Sequence, residues 1–315
     1  MEDQKYQVLL YYKFVRIEDP KAFRDAHFAL CKRLNLLGRI LIAEEGVNGT
    51  VSGLKEDTDD YMRAMSTDPL FEGIEFKVDA ASQHAFNKLH IRVKEEIIRF
   101  DIEGLNPEAE TGAYVEPEEF QKILKESDEN DDIVILDTRS DYEFVVGKFK
   151  NAITLDINNF RELPDKLEEL RPLMKKRIYT YCTGGIRCEK VTAWMIQEGF
   201  EQVYQLHGGI VNYGKVTGGE NFEGGCYVFD QRVVVPVNHV NPTVIGKCQV
   251  CESPTEKMIN CANPMCNDHF LICKECADKL KGCCSESCSE APDLRSYDGT
   301  GYYLRGINSK NYAKL

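Results

Sequence analysis

The stretch Tyr179-Thr180-Tyr181-Cys182-Thr183-Gly184-Gly185-Ile186-Arg187-Cys188-Glu189-Lys190 decides the fold of the central part of the chain. It begins inside an apolar run, residues 178–181, that predicts a buried strand, and apolar residues after Glu189 recur at helical spacing. The cysteine and two glycines between them predict a tight loop that leads into a helix N-terminus. Backbone N–H groups of such a loop, together with the helix dipole, face the sulfur of Cys182.

We predict that Cys182 is a reactive thiol with a lowered pKa, since N–H donors, the dipole and the guanidinium of Arg187 all stabilise a thiolate. A cysteine at a strand end is often just a small buried hydrophobe. Here the loop Thr183-Gly184-Gly185-Ile186 and the arginine favour anion binding instead. The Cys-x4-Arg spacing disfavours a cysteine-based phosphatase, which needs Cys-x5-Arg for the arginine to clamp a phosphate oxygen.

Other candidate site residues follow neighbouring predicted strands. Residues 133–136 form an apolar strand that ends at Asp137-Thr138-Arg139, at the sheet edge where sites assemble in open α/β proteins. For Asp137 and Arg139 we favour a structural ion pair that holds the loop over direct chemistry. Cys188 is either packed in the first helical turn, which we favour, or a second redox thiol. His207, after a strand at 203–206, is predicted as a turn residue.

Residues 1–103 predict a ferredoxin-like α+β domain. Strands are expected at 6–17, 38–43, 50–52, 74–78 and 90–94, and helices after Asp19-Pro20 and at 55–66. The order β-α-β-β-α-β is that of a split βαβ unit. Basic residues near its last strands are candidates for RNA binding, although a solvated charged face explains them equally well; they include Lys77, Lys88, Arg92 and Lys94.

Charge and composition divide the rest of the chain. The net charge is −13, but residues 101–132 alone carry 12 acidic and 2 basic residues, so local basic patches remain elsewhere. We therefore assign residues 104–130 to an acidic linker with a short helix at about 117–126. Residues 131–225 are predicted as a parallel-sheet α/β domain, and residues 226–315 as a small Cys-rich region.

The Cys-rich region predicts a structural zinc site. Cys248, Cys251, Cys273 and Cys276 form two Cys-x2-Cys pairs, each able to chelate one edge of a tetrahedron. A second set comprises Cys261, Cys266, Cys283 and Cys288, and reduced thiols or disulfides are the alternative for both. Farther on, Tyr297, Tyr302, Tyr303, Arg305, Lys310 and Tyr312 either stack on bases or form a terminal hairpin.

Several classes are disfavoured by the sequence. The sequence contains no apolar run of about 18 residues, which a membrane-spanning helix needs, and its first residues do not resemble a secretory signal. We expect a cytoplasmic protein whose 13 cysteines are reduced. There is no Gly-x-Gly-x-x-Gly after a strand and no two-His-one-carboxylate pattern, so neither a flavin or NAD site nor non-haem iron is expected.

The central motifs resemble those of a rhodanese domain. The resemblance rests on Asp137-Thr138-Arg139 with Tyr142-Glu143, on Gly147-Lys148-Phe149 to Ala152, on the Cys182 loop and on Leu206-His207-Gly208-Gly209. In that family the loop cysteine carries sulfur as a persulfide. This resemblance alone implies a sulfurtransferase that acts through a Cys182 persulfide, or an interaction scaffold, which an intact reactive loop disfavours.

A wider resemblance covers nearly the whole chain. The segment Gly38-Arg39-Ile40 through Ala43-Glu44-Glu45-Gly46-Val47-Asn48-Gly49-Thr50, the full loop from Cys182 to Lys190 and the Cys-rich tail resemble the bacterial tRNA uridine(34) hydroxylase family. The resemblance implies oxygen-dependent 5-hydroxylation of the wobble uridine in the anticodon loop, with O2 as co-substrate, an unidentified electron donor and Cys182 as nucleophile. Arg187 is expected to bind an anion or a uracil carbonyl.

Overall fold

The computed structural model describes residues 5–301. Its N-terminal part is one five-stranded sheet in the order β4-β1-β3-β2-β5. The elements are β1 (Tyr6–Phe14), α1 (Pro20–Arg33), β2 (Leu37–Ala43), β3 (Gly46–Leu54), α2 (Lys55–Thr67), β4 (Phe76–Ala81) and β5 (Leu89–Val93). The first four strands form the predicted ferredoxin-like arrangement, and β5 extends it by pairing parallel to β2. The predicted fold class is confirmed.

The two faces of this sheet differ in chemistry. Alternate strand residues point to opposite faces. Leu9, Tyr11, Ile40 and Ile91 face the helices and form a core with Tyr61 of α2. The residues between them lie on the opposite face, which covers the Cys182 loop at one end and carries exposed basic side chains at the other.

The central part is a parallel four-stranded sheet in the order β6-β10-β9-β7. Its elements are β6 (Ala113–Val115), α3 (Pro117–Ser127), β7 (Ile133–Asp137), α4 (Asp141–Phe144), β8 (Gly147–Phe149), α5 (Leu167–Leu170), β9 (Arg177–Tyr181), α6 (Ile186–Gln197), β10 (Gln202–Leu206) and α7 (Gly209–Thr217). Phe120 and Tyr213 belong to the core on one face, and Phe160 and Trp194 to the core on the other. This is the predicted parallel-sheet α/β layer.

The stretch predicted as a linker contributes to this layer. Within residues 104–130, β6 pairs with β10 as an edge strand, and α3 lies close to the expected helix at 117–126. Phe120, Ile123 and Leu124 are buried in the sheet's core. The acidic composition reflects the solvated face of an amphipathic helix, so the composition alone did not reveal that the opposite face is packed.

The C-terminal part consists of short elements. It contains β11 (Phe222–Gly224), β12 (Cys226–Tyr227), β13 (Val234–Val235), β14 (Met258–Asn260), β15 (His269–Leu271), α8 (Lys274–Lys279) and α9 (Glu286–Ser289). Cysteines supply much of its core, together with Ile259, Phe270 and Ile272. Of the predicted tail residues, only Tyr297 is described; the others lie beyond residue 301. Among residues 5–301, no helix is long and apolar enough to cross a membrane.

Candidate active site

The Cys182 loop is short and tightly constrained. β9 ends at Tyr181 and α6 begins at Ile186, so four residues make the connection. Gly185 has a φ of +103°, and its N–H donates to Sγ of Cys182 over 3.1 Å. A Cβ on Gly209 would lie 2.5 Å from the Cys182 carbonyl oxygen, so the start of α7 can pack on the loop only as glycine. The strand, loop and helix therefore aim N–H groups at one sulfur.

This environment favours the thiolate of Cys182. The side chain is fully buried, and burial alone would raise its pKa. A hydrogen bond from Cys188, the charge of Arg187 and the backbone N–H groups of Arg187 and Gly185 outweigh burial and lower the pKa to about 5. At neutral pH the sulfur is consequently ionised and nucleophilic.

Cys188 lies in the first turn of α6 and is fully buried. Burial and the hydrogen bond with Cys182 raise its pKa well above that of an ordinary cysteine. Its Sγ also lies 3.8 Å from Oγ1 of Thr138. Cys188 thus remains a thiol and donates to the Cys182 thiolate, which is a more specific role than packing.

Arg187 is engaged by a carboxylate. Its two terminal nitrogens bind the two carboxylate oxygens of Glu143 over 2.5 and 2.8 Å, and one also reaches Oγ1 of Thr183. Arg187 is 5% exposed and Glu143 is fully buried. The guanidinium therefore acts on Cys182 by its charge while its donors are held by Glu143, rather than being free for a uracil carbonyl as expected.

Sequence reasoning did not assign Glu143 a role. The pattern Ser140-x-x-Glu143 is a helix-capping signal, and the structure contains that capping box at the start of α4. The signal locates Glu143 at a helix start, but not its partner 44 residues away.

Asp137 and Arg139 form a fully buried ion pair below the loop. Arg139 donates to both carboxylate oxygens of Asp137 over 2.9 and 2.7 Å and to the carbonyl of Gly147 over 2.7 Å. The hydroxyl of Tyr181, the residue before Cys182, donates to the same carboxylate over 2.7 Å. This geometry corresponds to the structural role favoured from the sequence.

Side chains from the N-terminal sheet lie directly on the glycine loop. A Cβ on Gly184 would lie 2.7 Å from Leu10 Cδ2, and one on Gly185 would lie 2.8 Å from the hydroxyl of Tyr12. The Tyr12 hydroxyl donates to Glu189 over 2.8 Å. The two glycines therefore provide both the turn and the close approach of β1 to the active site.

The last two residues of the motif join the parts of the chain. The buried carboxylate of Glu189 also accepts hydrogen bonds from Tyr114, Thr111 and Gln205. Lys190, 3% exposed at its side chain, binds Glu45 over 2.9 Å and Glu96 over 2.5 Å. Glu189 and Lys190 thus fix α6 against the N-terminal domain and against the segment before α3. These contacts explain why the motif extends beyond the loop itself.

The basic residues predicted to bind RNA differ in their exposure to solvent. Lys77 is 8% exposed, and its ammonium lies 5.0 Å from the ring centroid of Tyr12 and 3.9 Å from a carboxylate oxygen of Glu75. Burial lowers the pKa of Lys77. It therefore lies beside the active site, whereas Lys88, Arg92 and Lys94 are exposed to solvent.

The exposed residues form what we call the basic strip, which consists of Arg39, Lys88, His90 and Arg92. Arg39 on β2 pairs with His90 on β5, and Lys88 and Arg92 flank His90 on the same face. Burial and then the charges of Arg92, Arg39 and Lys88 lower the pKa of His90, consistent with four basic groups close together. The strip shares its sheet face with Tyr12 and Lys77, which cover the Cys182 loop.

The C-terminal cysteines form two groups that can each hold a metal ion. Sulfurs of Cys248, Cys251, Cys273 and Cys276 lie within 4.8 Å of one another, and so do those of Cys261, Cys266, Cys284 and Cys288. The first group is the predicted one. The second contains Cys284 where we expected Cys283, because Cys283 points into the core with Ile259 and Phe270.

Comparison with known proteins agrees with this architecture. Residues 6–97 match the family described as "UPF0176 acylphosphatase like domain", residues 116–215 the "Rhodanese-like domain", and residues 223–289 the "Rhodanase C-terminal" family. The three matches follow the N-terminal sheet, the parallel sheet with the Cys182 loop, and most of the Cys-rich part.

Relatives match over much longer stretches. A tRNA uridine(34) hydroxylase of Cytophaga hutchinsonii is 51% identical over 303 residues, covering 96% of each chain. Proteins of the same name from Shouchella clausii and Listeria welshimeri are 51% and 52% identical, each covering 80% of this chain and 79% of the relative. Identity above 50% over most of both chains shows common family membership. The chain belongs to the tRNA uridine(34) hydroxylase family.

Proposed function

We propose that this protein hydroxylates uridine 34 of tRNA at C5, with O2 as co-substrate and Cys182 as the nucleophile. Relatives that are 51–52% identical are named tRNA uridine(34) hydroxylase. The observation that carries the proposal is the Cys182 thiolate, held by four stabilising groups beneath a sheet face that continues into a basic strip. A nucleophile beneath a sheet face that also carries exposed basic side chains suits a nucleic-acid substrate.

The chemistry begins with addition of the Cys182 thiolate to C6 of uracil, which leaves an electron pair at C5. C5 then bonds to O2, and the peroxide anion that forms takes up one proton from solvent. The resulting hydroperoxide takes up two electrons and two further protons, releasing water and leaving a hydroxyl on C5. Loss of the C5 proton and of the thiolate from C6 restores the ring double bond. A low pKa suits Cys182 to both steps, since a stable thiolate is present at the start and leaves readily at the end.

The electrons come from a separate donor, which we place outside this chain. Lys77 lies near enough to the site for its ammonium to interact with both the Cys182 sulfur and the Glu189 carboxylate. We propose that this cation stabilises negative charge that develops on the pyrimidine. In this proposal Lys77 does not bind the RNA backbone, and the exposed basic residues do.

The tRNA backbone is proposed to bind the basic strip, with Lys94 at its end. Between β1 and β5 the sheet has three strand spacings, or roughly 14 Å, so the strip lies within an anticodon loop's reach of Tyr12. Single-stranded loops allow a base to be splayed out into a protein pocket. Because the proposed substrate is a tRNA, we also propose that the protein acts in the cytoplasm.

Access to the nucleophile requires a local change, because the Cys182 side chain is fully buried. We propose that the uridine displaces Tyr12 from its position over Gly185. A persulfide on Cys182 would extend the reactive sulfur outward by about 2 Å, the length of an S–S bond. The same extension is what the alternative function, sulfur transfer, would use.

In the C-terminal part, we propose a structural Zn²⁺ bound by Cys248, Cys251, Cys273 and Cys276. Four thiolates without an open position are typical of a structural site rather than a catalytic one. Cys248, Cys273 and Cys276 belong to the small core of the segment, so its folding depends on these cysteines being held together.

Nucleoside analysis of tRNA from a deletion strain tests the function. We expect 5-hydroxyuridine and its derivatives to disappear, and to return with the wild-type chain but not with Cys182→Ala. Loss of thiolated nucleosides with 5-hydroxyuridine retained would instead establish the sulfurtransferase. A Cys31→Ala chain, changed at a buried cysteine in the N-terminal core, is the matched control and should restore the modification.

A further inference from the structure

The C-terminal cysteines are arranged as four pairs along the chain. The pairs are Cys248 with Cys251, Cys261 with Cys266, Cys273 with Cys276, and Cys284 with Cys288. In space, the first pair joins the third and the second joins the fourth. The two groups are therefore interleaved in sequence. The chain segment that joins the two pairs of one group always contains a pair that belongs to the other group.

The sulfur spacings fit a single small ion in each group. A tetrahedron with Zn–S bonds of about 2.3 Å has edges of roughly 3.8 Å between sulfurs. In the first group, the sulfurs of Cys251 and Cys273 lie 3.7 Å apart. In the second, the distances are 3.7 Å both for Cys266 and Cys284 and for Cys284 and Cys288.

Each group also has an N–H hydrogen-bond donor that would stabilise its thiolates. The backbone N–H of Cys276 donates to Sγ of Cys273 over 3.5 Å in the first group. In the second, the side-chain amide of Asn263 donates to Sγ of Cys288 over 3.6 Å. N–H donors of this kind stabilise negative sulfur ligands, and both groups possess one.

We propose that this segment binds two Zn²⁺ ions in a crossed arrangement, one in each cysteine group, and that neither half folds without both. The first ion closes the chain around Cys261 and Cys266, and the second closes it around Cys273 and Cys276. Loss of either ion therefore frees a loop that holds ligands of the other. Cys283 lies next to Cys284 but takes no part, because its side chain fills the core.

The segment that contains the two cysteine groups also packs against residues that contact the active site. Strand β15 runs between ligands of the two groups, and the ring of its first residue, His269, lies 5.5 Å from that of Tyr227 and 6.1 Å from that of Tyr142. Tyr142 precedes Glu143, the partner of Arg187. The carbonyl of Tyr227 accepts a hydrogen bond from Thr183 in the Cys182 loop over 3.5 Å. The ions thus act through packing, without touching the reacting atoms.

Metal analysis of the full-length protein tests the proposal. We expect two zinc ions per chain, with Cys284→Ser losing both and Cys283→Ala keeping both. Cobalt substitution of the wild-type chain provides a test that does not depend on the variants folding. It should give two Co²⁺ per chain with the absorption of tetrahedral tetrathiolate sites.

One zinc per wild-type chain, iron in place of zinc, or retention of either zinc ion by Cys284→Ser would overturn the proposal. So would loss of zinc from Cys283→Ala. The readout is metal content, so these outcomes do not depend on the proposed hydroxylation.

Discussion

Replacing Cys188 by alanine tests how the structure activates Cys182. The Cys188 thiol is the strongest of the contacts that lower the Cys182 pKa to about 5. A hydrogen bond to a charged group contributes about 1.5–3 kcal/mol, and one pKa unit corresponds to about 1.4 kcal/mol. Cys188→Ala should therefore raise the Cys182 pKa by roughly one to two units, while Cys188→Ser, which keeps an O–H donor, should change it less.

The assay is the pH dependence of alkylation, followed by mass spectrometry of the peptide that contains Cys182. Only the thiolate reacts, so the rate rises with pH through the pKa of this residue. Because the site is buried, the midpoint and not the absolute rate is the quantity compared. For the wild type we expect that midpoint near pH 5. An unchanged midpoint in Cys188→Ala would refute the reasoning and return Cys188 to a packing role.

Three further predictions concern the loop, its buried charge pair and the basic strip. Glu143→Gln should lower the free energy of unfolding by about 3–5 kcal/mol, because it leaves a buried guanidinium without its carboxylate. Urea denaturation should show a much smaller loss for Glu45→Gln, whose lysine partner keeps a second carboxylate; equal losses would contradict this. Gly185→Ala should lower the free energy of unfolding by about 1–3 kcal/mol, because alanine is strained at φ +103°, and should slow Cys182 alkylation. An unchanged free energy of unfolding would contradict the strain argument. Arg92→Ala should reduce the salt dependence of tRNA binding by about one unit of slope, whereas Lys122→Ala, exposed on α3 and away from the strip, should leave it unchanged; equal effects would exclude the strip as the binding surface.

The strand, loop and helix around Cys182 could be predicted because their signals are local. Two glycines, an apolar run and a helical repeat all occur within residues 178–196. The same holds for Asp137 and Arg139, which are two residues apart and necessarily close in space. Short-range patterns of this kind determine backbone geometry directly.

What could not be predicted depends on contacts between distant parts of the chain. Tyr12 and Glu189 are 177 residues apart, and nothing in the sequence pattern joins them. Lys77 and Arg92 both sit on strands of one sheet, yet only Lys77 is covered by the active-site side of the molecule. The alternation of residues along a strand assigns both side chains to a face of the sheet. It does not show which part of that face is covered by the rest of the protein.

The choice between Cys283 and Cys284 illustrates the same limit at short range. The two are adjacent, and spacing alone does not distinguish them as ligands. Lys281 and Gly282 have φ values of +53° and +74° after α8, and this turn directs Cys283 inward and Cys284 toward the other ligands. The backbone conformation of these two residues therefore determines which thiol joins the cysteine group.

The central claim is that Cys182 acts directly on uridine 34, and a reconstituted reaction tests it most directly. Purified protein is incubated with substrate tRNA, O2 and a chemical reductant, and the anticodon-loop fragment is analysed by mass spectrometry. We expect the wild type to add one oxygen atom at position 34 and Cys182→Ala to add none, although it still binds tRNA. Hydroxylation of position 34 by Cys182→Ala would contradict the account.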